Sequence, residues 1–465
     1  MNKIGIIGLG VMGKSLALNF LSKDIKVVGY NRSDDVTRQM VEKDYQGFKG
    51  VFSYRELINN LEHPRKILLM VSAGNAVDDV LNEIVPLLDE KDIIIDGGNS
   101  YFEDTNQRSE ILIDHNIYYF GLGVSGGEKG ALEGPCLMPG GPSEAYDQIS
   151  YLLNKVAAQY DGEPCCKYIG PAASSHYVKM IHNGIEYADM QLIVESYLLL
   201  KKVGKFSNYQ ISEIFDNWNS GKQRSYLIEI TSEILKVKDK ESDIDLIDLI
   251  VDKASQKGTG RNTSIEAIKQ DSNASVLNAA YIARVASNDP RRGIFSNIIT
   301  EPKIKSVDSI TFAQEVKKTY YLGKIIAYIQ GFDMMHSASN TYGWNLNFED
   351  IASIFRAGCI IQSELLNKIK EAYMSNHRLD SLALNTYFIE EIKSNLQSAR
   401  VVSSIALLSG IPIPATLTTI SFIEALRSNS VGANLIQAQR DYFGAHTFNR
   451  VDREGDIHYE WEEKL

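Results

Sequence analysis

The sequence predicts a chain of class α/β plus all-α, with a parallel-sheet domain first, a large helical domain second and an extended tail last. Three observations predict it. The first third alternates short apolar runs with helical patterns, strand signals nearly vanish after residue 175, and the residues after 434 turn polar, aromatic and charged. Such alternation implies right-handed crossovers and a parallel sheet covered on both faces. The 465 residues exceed one ordinary core, so domains are expected at 1–175, 176–434 and 435–465.

The elements follow in order. Lys3–Gly8, Ile25–Tyr30, Ile67–Val71, Ile93–Asp96 and Ile117–Gly121 read as strands, and Val11–Ser22, Ser33–Lys43, Asn75–Leu88 and Phe102–His115 as the helices between them. A glycine-dense segment, Gly121–Gly141, comes next, and a strand near Lys167–Ile169 is expected to close the domain. Helical periodicity then marks His176–Lys202, Asn208–Asn217, Ser225–Leu235, Asp243–Asp252, Ser264–Gln270, Ile310–Ser337, Phe348–Arg356 and Ile360–Met374. A long helix is followed by Ile211-Ser-Glu-Ile-Phe215 in one place and Ile351-Ala-Ser-Ile-Phe355 in another. This echo suggests a duplicated helical unit, although two short apolar matches also arise by chance.

Composition narrows the function. A net charge of −11 argues against a nucleic-acid or anionic-membrane binder but leaves room for a local basic pocket around a phosphorylated ligand. Cys136, Cys165, Cys166 and Cys359 show no metal or redox spacing and fit a reducing cytoplasm. No export leader is expected from Met1–Gly10, and no apolar run reaches the roughly 18 residues of a membrane span.

The first motif is Gly8-Leu9-Gly10-Val11-Met12-Gly13, between the first strand and the first helix. The first glycine permits the tight turn, the second lets backbone approach a pyrophosphate, and the third lets helix pack on strand. With strand before and helix after, it reads as a Rossmann-like dinucleotide site rather than an incidental glycine turn. After the second strand, Asn31-Arg32-Ser33 stands where an NAD site usually places a carboxylate. Arg32 can pair with a 2′-phosphate and Asn31 and Ser33 can hydrogen-bond it, which favours NADP. A plain solvent-exposed Arg32 is the alternative.

The second motif lies on the long helix near 176–202. Lys179, His182, Asn183, Glu186 and Tyr187 fall at i, i+3, i+4, i+7 and i+8, on one helix face. That face carries a possible base, a possible acid and three hydrogen-bonding groups. From the helix alone, a solvated polar surface explains the stripe as well as a functional site does.

Together with Leu69–Gly74, Ile95–Ser100, Gly123–Glu128, Val178–Tyr187, Ser225–Thr231, Gln256–Gly260 and Ala433–His446, these motifs make the chain resemble the 6-phosphogluconate dehydrogenase family over nearly its whole length. The resemblance implies NADP-dependent oxidative decarboxylation of 6-phosphogluconate in the oxidative branch of the pentose phosphate pathway, without a metal. It implies Lys179 as general base and Glu186 as general acid. It assigns substrate contacts to Asn99, Ser125, Gly126, Gly127, His182, Asn183, Tyr187, Lys257, Thr259, Arg284, Arg440 and His446. The last two would come from the tail of a partner subunit in a homodimer. It assigns the cofactor to Gly8–Gly13, Asn31, Arg32, Ser33, Val71, Ser72, Ala73 and Asn99. Ser72, Gly260-Arg-Asn-Thr263, Gly221-Lys-Gln-Arg224 and Ser428-Asn-Ser-Val-Gly432 depart from the family pattern without removing a catalytic position. A non-decarboxylating β-hydroxyacid dehydrogenase and a non-catalytic NADP sensor are the competing readings.

Overall fold

The computed structural model describes residues 3–256, 258–300 and 302–461. Seven strands form one sheet: β1 (Lys3–Ile7), β2 (Lys26–Tyr30), β3 (Phe48–Val51), β4 (Lys66–Leu69), β5 (Ile93–Asp96), β6 (Tyr118–Ser125) and β7 (Cys136–Gly140). Their order is β3-β2-β1-β4-β5-β6-β7. All neighbours run parallel except β6 and β7. The strand order reverses between β1 and β4, the place where ligands bind in such sheets. Helices α1 (Val11–Ser22), α2 (Asp34–Glu42), α3 (Tyr54–Asn59), α4 (Asn75–Ile84), α5 (Phe102–Ile113), α6 (Gly127–Glu133) and α7 (Asp147–Val156) surround the sheet. Both faces are covered, so alternate residues of one strand feed two cores. Ile4 and Ile6 pack with Leu16 and Phe20, while Ile7 packs with Val28, Leu57 and Leu69.

β3, α3 and β7 have no counterpart among the predicted elements. β3 is short and contains Gly50, and β7 ends in Pro139-Gly140, so neither carries a strand-like apolar run. The strand predicted at Lys167–Ile169 is an irregular segment that lines the outer edge of β7. It does so through Leu137 N to Cys165 O at 2.9 Å and Ile169 N to Pro139 O at 2.8 Å.

A 31-residue helix, α8 (Ala172–Lys202), opens the helical part. It is followed by α9 (Asn208–Asn219), α10 (Tyr226–Leu235), α11 (Leu246–Leu249), α12 (Thr259–Lys269), α13 (Ser275–Ser287), α14 (Arg292–Ile298), α15 (Ser309–Tyr342), α16 (Phe348–Ile354), α17 (Leu365–Ser375), α18 (Thr386–Leu408) and α19 (Pro414–Arg427). The predicted helix Asp243–Asp252 shrinks to the single turn of α11, and Ile360–Met374 starts five residues later, at Leu365. The echoed segments fall in α9 and α16, each the next helix after one of the two longest, α8 and α15. Backbone bonds join the stretches that follow them, Tyr226 N to Gln362 O at 3.1 Å and Glu364 N to Arg224 O at 2.9 Å. A buried ion pair, Lys324 Nζ to Asp189 at 2.8 Å, ties α15 to α8, and Tyr320 OH donates to the same carboxylate.

The chain divides into two compact units, Met1–Thr419 and Ile420–Leu465. The second is more than an extended tail. It contains α20 (Ala433–Gly444) and a hairpin of Phe448–Asn449 with Asp456–Ile457. Its centre is the buried Asp441 carboxylate, which accepts from Thr447 N, His458 Nδ1, Tyr459 N and Trp461 Nε1 at 2.8–3.0 Å. Burial alone would raise its pKa; these bonds outweigh that and hold it well below the usual carboxylate range. Among the described residues no helix is long and apolar enough to cross a membrane.

Candidate active site

Gly8–Gly13, Asn31–Ser33, Val71–Ala73, Asn99 and Ser125–Gly127 all lie at the turns where β1, β2, β4, β5 and β6 end and the next helix begins. Parallel strands bring them to one edge of the sheet. The three glycines of the first loop have separate reasons. Gly8 has φ +96, and a Cβ there would stand 2.5 Å from Met70 O. A Cβ on Gly13 would overlap the Gly8 carbonyl oxygen. Gly10 meets nothing within 4 Å. The fold itself demands Gly8 and Gly13, while Gly10 keeps open the approach to the first-turn N–H groups of α1, which have no intrahelical acceptor. The residues present fit a dinucleotide diphosphate.

At the end of β2, the Asn31 amide is committed to the protein: it accepts from Leu9 N at 2.9 Å and donates to Ser33 O at 3.1 Å. It joins the first two loops rather than facing outward. Arg32 and Ser33 are exposed, and the Ser33 hydroxyl caps no helix bond, so both are open to solvent at this end of β2. Ser72, Ala73 and Asn99 are exposed and Val71 half-buried. The loop carrying Asn99 is held from beneath by Asp96, which accepts from Gly98 N, Ser100 Oγ and Tyr119 OH.

The glycine-dense segment serves as the seat of α8. A Cβ on Gly121 would stand 2.7 Å from Ala172 O, one on Gly123 2.8 Å from Lys179 Cβ, and one on Gly140 2.8 Å from Pro171 O. Opposite them α8 begins Ala172-Ala173-Ser174-Ser175. Ser175 Oγ donates to Met138 O at 2.6 Å and accepts from Gly123 N at 3.1 Å. Small residues on both sides let helix backbone lie directly on β6 and β7. Sequence reasoning missed this role, although the density of glycine was its signal.

The polar stripe is therefore not solvated surface. Lys179, His182 and Tyr187 are buried, and Asn183 and Glu186 half-buried. Lys179 makes no hydrogen bond or ion pair among the described residues. Burial lowers its pKa from the ordinary 10.5, against the opposing pull of Glu186 and of Cys136 and Cys359. Burial raises the pKa of Glu186, opposed by Lys179 and Arg284. His182, fully buried and beside Lys179, is pushed well below its usual value and is neutral. Its Nε2 lies 3.1 Å from Ser125 Oγ and its Nδ1 3.1 Å from Asn183 Oδ1. An amine that burial makes easier to deprotonate, a carboxyl that burial makes easier to protonate and a neutral imidazole share one face, the makings of a base, an acid and an orienting group.

Further along α8, the Arg284 guanidinium stacks 3.4 Å over the Tyr187 ring. A Cβ on Gly260 would stand 2.5 Å from the same ring, so Thr259, in the first turn of α12, is adjacent. These three predicted residues gather in one place. Lys257 lies outside the described residues. Arg440 and His446 belong to the second unit, where both are exposed and flank the Asp441 hub. One group among the described residues has metal-ligand geometry, His63, Asp89 and Asp92. It lies at the opposite edge of the sheet, ahead of β4 and β5, and Arg65 is already paired with it, 2.7 Å from each aspartate.

Comparison with known proteins agrees over the full length. A model of the NAD binding domain of 6-phosphogluconate dehydrogenase matches residues 3–170, and one of the 6-phosphogluconate dehydrogenase C-terminal domain matches 175–461. The chain is 45% identical over 463 residues to an NADP(+)-dependent, decarboxylating 6-phosphogluconate dehydrogenase of Bacillus subtilis, covering 99% of each chain. It is 44% identical over 466 residues to an NAD(+)-dependent one of the same organism, covering 99% of this chain and all of that one. The solved Plasmodium falciparum 6-phosphogluconate dehydrogenase, described with its cofactor NADP+ and its substrate 6-phosphogluconate, superposes with TM-score 0.95 at 41% identity, covering 99% of this chain and 100% of that one.

Proposed function

We propose that the chain oxidatively decarboxylates 6-phosphogluconate to ribulose 5-phosphate and CO2 with NADP, because it belongs to the 6-phosphogluconate dehydrogenase family. The observation that carries the chemistry is Lys179, buried without an ion-pair partner among the described residues, two helix turns before Glu186, with burial pushing the amine's pKa down and the carboxyl's up.

Bound NADP supplies the hydride acceptor. The chain's own residues do the rest. Neutral Lys179 takes the proton of the C3 hydroxyl as the C3 hydride leaves. The resulting 3-ketone accepts the electrons released when the C1 carboxylate departs as CO2. Protonated Lys179 then stabilises the developing enolate oxygen, and Glu186 protonates the carbon that lost CO2. Ser125, His182 and Asn183 orient the polyol. Tyr187, Thr259, Arg284 and Lys257 receive the phosphate, joined by Arg440 and His446 from the partner in a homodimer. Arg32 and Ser33 hold the 2′-phosphate of NADP, and Gly8–Gly13, Val71–Ala73 and Asn99 hold its diphosphate and nicotinamide ends. The setting is the cytoplasmic pentose phosphate pathway.

One assay tests this: purified protein with 6-phosphogluconate and NADP or NAD, following reduced cofactor and CO2 together. Both products are expected in equal amounts, with NADP preferred. Reduced cofactor without CO2 would establish a plain β-hydroxyacid dehydrogenase instead, and no turnover would leave a binding protein.

A further inference from the structure

A loop of the helical domain backs onto the substrate turn of the sheet domain. It runs from Phe355 to Cys359, just after α16. Cys136 N donates to Gly358 O at 2.8 Å, and Cys136 faces Ser125 across β6 and β7. The same carbonyl lies 2.5 Å from where a Cβ on Gly126 would stand. At the other end of the loop, the fully buried Phe355 ring meets the His182 imidazole edge to face, 5.2 Å between centroids. Cys359 Sγ closes the loop on Phe355 O at 3.0 Å. Arg356 pins it outside, its guanidinium 4.2 Å over the Tyr160 ring. Gly358 itself has no room: φ is +68, and a Cβ would stand 2.6 Å from Gly134 O, 2.6 Å from Ala158 Cβ and 2.8 Å from Cys136 N.

Ser125 and His182 come from different domains and meet at 3.1 Å. The loop supports both partners of that contact at once, Ser125-Gly126 through Gly358 and His182 through Phe355. We infer that Phe355–Cys359 is a wedge that sets the Ser125–His182 geometry, with Gly358 and Phe355 as positioning residues for substrate binding. This deepens the proposed function and rests on it for the identity of the substrate. The wedge touches no part of the Gly8–Gly13 loop, so its effect belongs to the substrate and not to the dinucleotide.

The test uses full-length Gly358→Ala and Phe355→Leu, with steady-state kinetics on 6-phosphogluconate, calorimetric NADP binding and NMR of the 15N-labelled His182 ring. Gly358→Ala should raise the substrate KM about tenfold or more, since sub-ångström shifts of binding groups are costly. Phe355→Leu should raise it about threefold and, by thinning a buried contact, lower Tm by only a few degrees, leaving the protein folded. In both, NADP affinity should stay within about twofold of wild type, and the His182 resonances should move. A folded Phe355→Leu with wild-type KM and unmoved His182 resonances would overturn the wedge, even if Gly358→Ala failed to fold. NADP affinity falling in step with substrate affinity would also overturn it. Wild-type protein inert toward 6-phosphogluconate would sink the functional reading instead, and the His182 resonances would still decide the wedge.

Discussion

Two strand-to-helix turns of the sheet domain, β1 to α1 and β6 to α6, are built alike and supported differently. Each has a glycine that the fold forces and one that faces open space. Gly8 is forced against Met70 O and Gly126 against Gly358 O, while Gly10 and Gly127 meet nothing within 4 Å. The first turn rests only on atoms of its own domain. The second rests on the helical domain, through Gly358 and His182. A turn built the first way is autonomous; one built the second way depends on the register of both domains.

Lys179→Met should separate the two halves furthest. Turnover should fall about 10²–10⁴-fold, the usual worth of a positioned base, while calorimetry finds NADP binding unchanged. Glu186→Gln should slow protonation after CO2 loss more than hydride transfer, which single-turnover traces of reduced cofactor would show. Next comes the pair of open glycines. Gly10→Ala should raise the NADP KM about tenfold, roughly 1.4 kcal/mol, and leave Tm unaltered because Gly10 sits at φ −63. Gly127→Ala should weaken 6-phosphogluconate instead and lower stability by about 1–2 kcal/mol, since φ there is +63. If both variants hit the same ligand, the distinction between the turns collapses.

The smallest effect is on stability against pH. The folded pKa of Lys179 is lowered from 10.5, so between the two values the unfolded chain binds the extra proton and stability rises with pH. The folded pKa of Glu186 is raised from 4.5, so stability falls as pH climbs through that window. Urea midpoints at stepped pH should lose the first slope in Lys179→Met and the second in Glu186→Gln. The same two groups predict a bell-shaped kcat/KM, with Lys179 protonation on the acid limb.

Local patterns made β1, β2, β4, β5, α1 and α8 readable, because long apolar runs and 3.6-residue spacing are written in consecutive residues. β7 was not readable, since Pro139 and Gly140 suit only an edge. The helix Thr386–Leu408 hides behind a polar run, Glu390-Glu-Ile-Lys-Ser-Asn-Leu-Gln, and draws its stability from packing against α15. In the site, the stripe of α8 was visible but its burial was not. Burial comes from Gly121, Gly123 and Gly140 meeting the start of α8 31 to 56 residues away, and no window on the sequence spans that. Asn31 could be placed at the cofactor end, yet its engagement with Leu9 and Ser33 depends on the neighbouring loop. Gly358 carried no periodic signal at all.

The Asp441 carboxylate has a consequence for assembly. All four of its donors come from the same short unit, so the conformational entropy of ordering Thr447 and the chain around His458–Trp461 is lost within that unit, ahead of any encounter. If Arg440 and His446 reach a partner subunit as proposed, they would arrive as a preformed shape, and docking them would need little coupled folding. A segment prepared in this way would be a key cut before it meets its lock.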